Sequence, residues 1–107
     1  MRERSILDTD DLARLVERLA DRLAHLSTPR LAPIEAEVRA ALVDVAALSL
    51  SAQGEPARPL PPVAPRAWGD QLSVLGRDLV EGLRRRPDPT TAARVQTLLE
   101  ALRRALP

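Results

Sequence analysis

The chain reads as an all-α protein, a four-helix bundle built from two helical hairpins joined by a Pro-rich crossover linker. Three observations predict this. Nineteen leucines recur at three- and four-residue intervals, the spacing that aligns side chains along one face of an α-helix. The leucine runs open on an aspartate or a proline, and the last two close on arginines, as the helix dipole and the unpaired terminal N–H groups favour. The prolines fall between the runs and not inside them, so they punctuate the helices.

Helix one is expected at about 9–27. Asp8 is placed to cap it, Leu7 and Leu12 form a hydrophobic staple around the cap, and Asp10 and Asp11 occupy the first turn. Leu12, Val16, Leu19, Leu23 and Leu26 then follow a 4-3-4-3 spacing up to Ser27-Thr28-Pro29. Helix two is expected at 33–52, with Pro33 in its opening position and Glu35 and Glu37 behind it. Its stripe is Ile34, Val38, Ala41, Val45 and Leu48, and Leu42, Val43 and Leu50 make it apolar on most sides, which calls for several neighbours.

Residues 53–66 hold five prolines and one glycine, so neither a helix nor a central strand passes through them. As polyproline II this linker spans roughly 40 Å, more than the length of a helix in this chain, so it can serve as an overhand crossover as easily as a loose joint between two hairpins. The run Arg58-Pro59-Leu60-Pro61-Pro62-Val63-Ala64-Pro65 departs from the Arg-x-Leu-Pro-Pro-x-Pro ligand pattern at Ala64, so a stiff connector is its expected role. Helix three is expected at 67–85, with Trp68, Leu72, Leu75, Leu79 and Leu83 in line and Gly76 as a point of close approach. Helix four, at 89–106, begins with Asp88 as cap and Pro89 in first position and presents Val95, Leu98, Leu99, Leu102 and Leu106.

Leu, Val and Ile together supply 29 of the 107 residues, enough apolar surface for the chain to fold as one domain, 1–107. The Met1 start and the stop soon after helix four read as those of a whole protein. Trp68 is the only aromatic residue. A core of Leu, Val and Ala is weakly specified, and small helical chains commonly gain stability by associating. A homodimer, or a complex with an unidentified protein partner, is therefore expected. The broad apolar faces of helices two and three, through Leu42, Val45, Trp68, Leu72 and Leu79, are the expected interface. Sixteen arginines with no lysine point to G+C-rich coding and a bacterial origin. The N-terminal stretch is acidic, and the longest apolar run, Ala40 to Leu50, is interrupted by Asp44, so a cytoplasmic protein without a membrane segment is expected.

Chemistry has few candidates. The absence of cysteine removes thiolate nucleophiles and thiolate metal sites. There is also no tyrosine, no lysine and no Gly-rich phosphate loop, and His25 has no serine partner nearby in sequence. His25 shares a helix face with Glu17 and Asp21, but a second histidine is missing, so its position near a helix C-terminus is the simpler account. Asp44 falls in a seven-residue series with Arg30, Glu37 and Ser51, which marks a narrow solvent-facing stripe and not a buried acid. No catalytic residue, metal or cofactor is expected.

Net charge is +1; residues 1–52 carry seven Arg and nine acids, residues 53–107 nine Arg and six acids, giving −2 and +3. That asymmetry is too mild to mark a nucleic-acid-binding protein. Arg84, Arg85 and Arg86, with Arg103 and Arg104, remain the alternative: a helical accessory subunit gripping nucleic-acid backbone. Both clusters close a helix, where arginine complements the dipole, and no aromatic platform accompanies them. The favoured expectation is a non-enzymatic helical bundle that mediates protein–protein interaction or oligomeric assembly.

Overall fold

In the computed structural model, which describes residues 8–107, the side chain of Asp8 accepts the Asp11 N–H at 2.8 Å and caps α1 (Thr9–His25). Leu7, the outer half of the expected staple, lies outside the described residues. Helix α1 buries Leu12, Leu15, Val16, Leu19, Ala20 and Leu23. It stops at His25 because a new helical turn starts directly after it. The Ser27 hydroxyl accepts the Arg30 N–H, and α2 (Thr28–Leu31) begins with Pro29 in its first turn, where a missing N–H costs no hydrogen bond.

Helix α2 runs through a 3-10 turn, Ala32–Ile34, into α3 (Glu35–Ala52). Pro33 therefore sits in the tight turn and does not open the second long helix. The Ser27-Thr28-Pro29 run, read above only as a stop, is itself a cap followed by a helical first turn. At the far end of α3 the chain closes on a left-handed Gly54 (φ 73°). The Glu55 N–H donates to the Leu50 carbonyl at 2.8 Å and the Gly54 N–H to the Ser51 carbonyl at 3.1 Å. This is a complete Schellman closure, and it uses the one glycine that the turn requires.

The proline-rich segment that follows has no regular secondary structure until a 3-10 turn, Pro65–Ala67, leads into α4 (Trp68–Arg85). Leu60 and Val63 pack on the core, and Gln71 Nε2 donates to the Pro61 carbonyl at 3.1 Å. Helix α5 (Pro89–Ala105) is capped by Asp88, whose carboxylate accepts the N–H groups of Thr90 and Thr91 and the Thr91 hydroxyl.

Among the described residues the fold is an all-α bundle of four long helices. Its principal packings are α1 with α4, α3 with α4 and α3 with α5, with a lighter one between α1 and α5. The consecutive long helices, α1 with α3 and α4 with α5, are not among them; the two helices of each half sit across the bundle from one another. Direction follows from the contacts. Arg39 meets Trp68 near the starts of α3 and α4, and Gly82 meets Ala52 near their ends, so these two run parallel. Asp10 pairs with Arg84 at 2.6 Å, while Ala20 lies against Gly69, so α1 and α4 run antiparallel. The linker is thus an overhand crossover that carries the chain back along α3 before α4 begins.

Close approach of α1 and α4 depends on Gly69 and Gly76. A Cβ on Gly69 would stand 2.6 Å from the Ala20 carbonyl oxygen, and one on Gly76 would collide with the Val16 side chain. One core cluster joins all four helices, with Trp68, Leu72, Leu79 and Leu99 at its centre.

Candidate functional site: the outer face of α3 and its groove with α5

Helix α3 turns Val38, Ala41, Leu42, Val45, Ala46, Ser49 and Leu50 inward. Its opposite side would ordinarily be polar. Instead Ala36, Ala40, Val43 and Ala47, spaced 4-3-4, stand exposed in one row. Val43 is 53% exposed, one of two large hydrophobic side chains so placed among the described residues. Glu37 and Asp44, both exposed, border the row.

On one flank of this row α3 and α5 enclose an open groove of about 480 Å³, lined by Asp44, Ala47, Leu48, Ala93, Arg94, Thr97 and Leu98. Leu48 and Leu98 are half-buried on its floor. On the other flank the linker lies over a smaller cavity of about 120 Å³, to which Leu42, Val43, Leu60, Trp68 and Gln71 contribute. The row is therefore framed by a helix on one side and a proline-rich strap on the other. It presents methyl groups to solvent with two acids beside them. Covering such a row with another apolar surface would take its methyl groups out of water.

The residues expected to make the interface are elsewhere. Leu42, Val45, Trp68, Leu72 and Leu79 have at most 2% of their surface exposed, because the two halves of the same chain already cover them. As the chain is folded, they offer no area to a partner. The exposed row was concealed in the sequence by the width of the apolar pattern on α3. Its own signal is the 4-3-4 run of Ala36, Ala40, Val43 and Ala47, parallel to the buried stripe and nearly indistinguishable from it.

The arginines are not brought together either. Arg84 is engaged by Asp10 at 2.6 Å and Arg85 faces Glu81 at 3.8 Å, while Arg86 lies over Gly54. Arg103 and Arg104 end α5 at the opposite pole, where Arg22 meets the Pro107 carbonyl. A helix of 17 residues, about 25 Å long, separates the two clusters.

His25 is exposed and its Nδ1 lies 2.8 Å from the Asp21 carbonyl oxygen. No group of three or more His, Cys, Asp or Glu side chains is gathered for a metal ion among the described residues. The Asp88 carboxyl titrates below its ordinary value, held there first by the hydroxyl of Thr91 and then by the Thr91 and Thr90 N–H groups, with desolvation acting in the other direction. Its work is that of a helix cap. Asp44, Glu37, Arg30 and Ser51 are all exposed. No helix among the described residues is long and apolar enough to cross a membrane. No family model, curated protein or solved structure matches this chain.

Proposed function

We propose that this chain is a non-enzymatic assembly module of the bacterial cytoplasm, which binds protein through the outer face of α3. One observation carries the reading. A helix whose inner stripe is fully used by the core still exposes Ala36, Ala40, Val43 and Ala47, where a surface helix would carry charged side chains. Covering that row removes apolar area from water at about 25 cal/mol per Å², and its small side chains let a second helix come near. The alternative, a grip on nucleic-acid backbone through Arg84, Arg85, Arg86, Arg103 and Arg104, has weaker support. Those residues lie at opposite poles, and two of them are occupied by acids.

The test is the mass of the tagged chain as isolated gently from the cells that produce it. A particle well above 11.7 kDa that falls to the single chain on Val43→Arg supports the reading. A single chain in both preparations removes it. Retention of nucleic acid that survives Val43→Arg and is lost on Arg103→Ala with Arg104→Ala would favour the alternative.

A further inference from the structure

We infer that the occupant of this face is a second copy of the same chain, seated so that Asp44 of each protomer pairs with Arg94 of the other. The inference rests on the assembly reading and supplies its partner. Charge complementarity is what carries it. On α3 Glu37 and Asp44 are exposed, while Glu35 and Arg39, each partly exposed, neutralise one another; on α5 Arg94, Arg103 and Arg104 are exposed, and the half-buried Glu100 accepts from Gln96. The two helices are neighbours. The groove between them is therefore flanked by an acid, Asp44, on its α3 side and by an arginine, Arg94, on its α5 side, with Leu48 and Leu98 between the two helices.

A twofold axis lying in the plane of such a face, along its helices, lays the acidic side of each groove on the partner's basic side and each apolar strip on its twin. Closed twofold dimers require a self-complementary patch of this kind, in which residue i meets j and j meets i. A uniformly acidic or basic partner would be attracted by one edge and repelled by the other.

Asp44 and Arg94 show the same thing individually. Both line the groove, and neither has a hydrogen-bond or ion-pair partner among the described residues. Elsewhere on the surface, acids such as Asp10, Glu35 and Glu81 each hold an arginine of their own chain. Two adjacent helices about 27 Å long give a face on the order of 500 Å² per chain. The total, about 1,000 Å², is at the lower end of specific interfaces, so the dimer dissociates on dilution and weakens with salt, as pairs at an interface rim do.

The experiment is sedimentation equilibrium of the purified full chain over about three decades of concentration, spanning the range in which small interfaces form. Wild type is expected to pass from monomer to dimer. Asp44→Arg and Arg94→Asp each set two like-charge contacts across the axis and raise the dissociation constant about tenfold or more. The combined variant restores opposite signs and recovers most of the loss. Circular dichroism establishes that each variant is folded, and Asp44→Ala with Arg94→Ala replaces the reversed pair where it is not. A wild type that stays monomeric throughout overturns the inference. So does a dimer that ignores both reversals, or one that the combined variant does not recover. The mass from cells and its dependence on Val43 then decide the broader assembly reading by themselves, so the two can fail separately.

Discussion

The guanidinium of Arg39 lies 5.4 Å from the centroid of the Trp68 ring, over an indole with no exposed surface. Glu35 holds the other side of that guanidinium at 2.9 Å. Helix α3 is thus tied to the first residue of α4 by a ring face, while the indole Nε1 has no hydrogen-bond partner among the described residues. Trp68 stabilises through area and its π face, and its buried donor works against it. Trp68→Phe, which removes the donor along with some volume, is expected to cost less than about 2 kcal/mol. Trp68→Ala leaves a cavity and costs about 3–5 kcal/mol. Arg39→Ala costs about 1 kcal/mol. Urea unfolding followed by circular dichroism gives all three, and a Phe variant as damaged as the Ala variant would contradict the account of the donor.

Gly76 tests the approach of α1 to α4. Alanine is worth about 1 kcal/mol more than glycine in a helix interior, so on propensity alone Gly76→Ala stabilises. The collision with Val16 reverses the sign, and overpacking of this kind costs about 1–3 kcal/mol net. Val16→Ala in the same chain makes room for the new methyl, and the double variant is expected to be more stable than the sum of the single changes. A double-mutant cycle with no coupling would place the contact elsewhere.

Asp88 predicts an acid dependence. Its carboxyl titrates below the ordinary 3.8 in the folded chain, so the cap's contribution is fully present above that value. It is lost as pH falls through the lower folded value. Asp88→Asn keeps an acceptor for the N–H groups and has no proton to exchange. The variant is expected to be less stable than wild type at neutral pH and to approach it as the solution is acidified well below 3.8. A stability difference that does not change with pH would mean that the carboxylate is not the stabilising form.

Leu79 and Val43 separate the core from the proposed surface. Leu79 has no exposed area, and Leu79→Glu buries an unpaired charge, which unfolds the chain or leaves it destabilised by more than about 3 kcal/mol. Val43→Glu changes a side chain that is 53% exposed and is expected to move stability by no more than about 0.5 kcal/mol. Thermal melts of the two variants at a concentration below dimer formation make the comparison.

The periodicity of α1 was readable because its apolar residues form one narrow stripe against a charged face, and Leu12, Val16, Leu19 and Leu23 are all in the core. On α3 the same reasoning had no contrast to work with. Leu42 and Val43 are adjacent in sequence and equally hydrophobic, yet one is 2% and the other 53% exposed. Which of them faces inward is set by the neighbours that α4 and α5 provide. The Ser27-Thr28-Pro29 run carried both a stop and a start, and only the chain's path beyond it shows both in use. The pairing of helices was open in the sequence: short connections suggest neighbours, the length of the linker also allows an overhand crossover, and here the crossover reorders the helices.

That reordering has a consequence for how the chain comes to be folded. Every principal packing joins a helix of the first half to one of the second. When α1 and α3 have left the ribosome, each still lacks the helix against which its apolar stripe packs in the finished bundle. The bundle forms late and largely at once, through contacts distant in sequence, which slows the search. By the same logic a cut in the exposed stretch 54–59 of the linker is expected to leave two pieces that rebuild the protein by finding one another, since each carries the surface the other lacks.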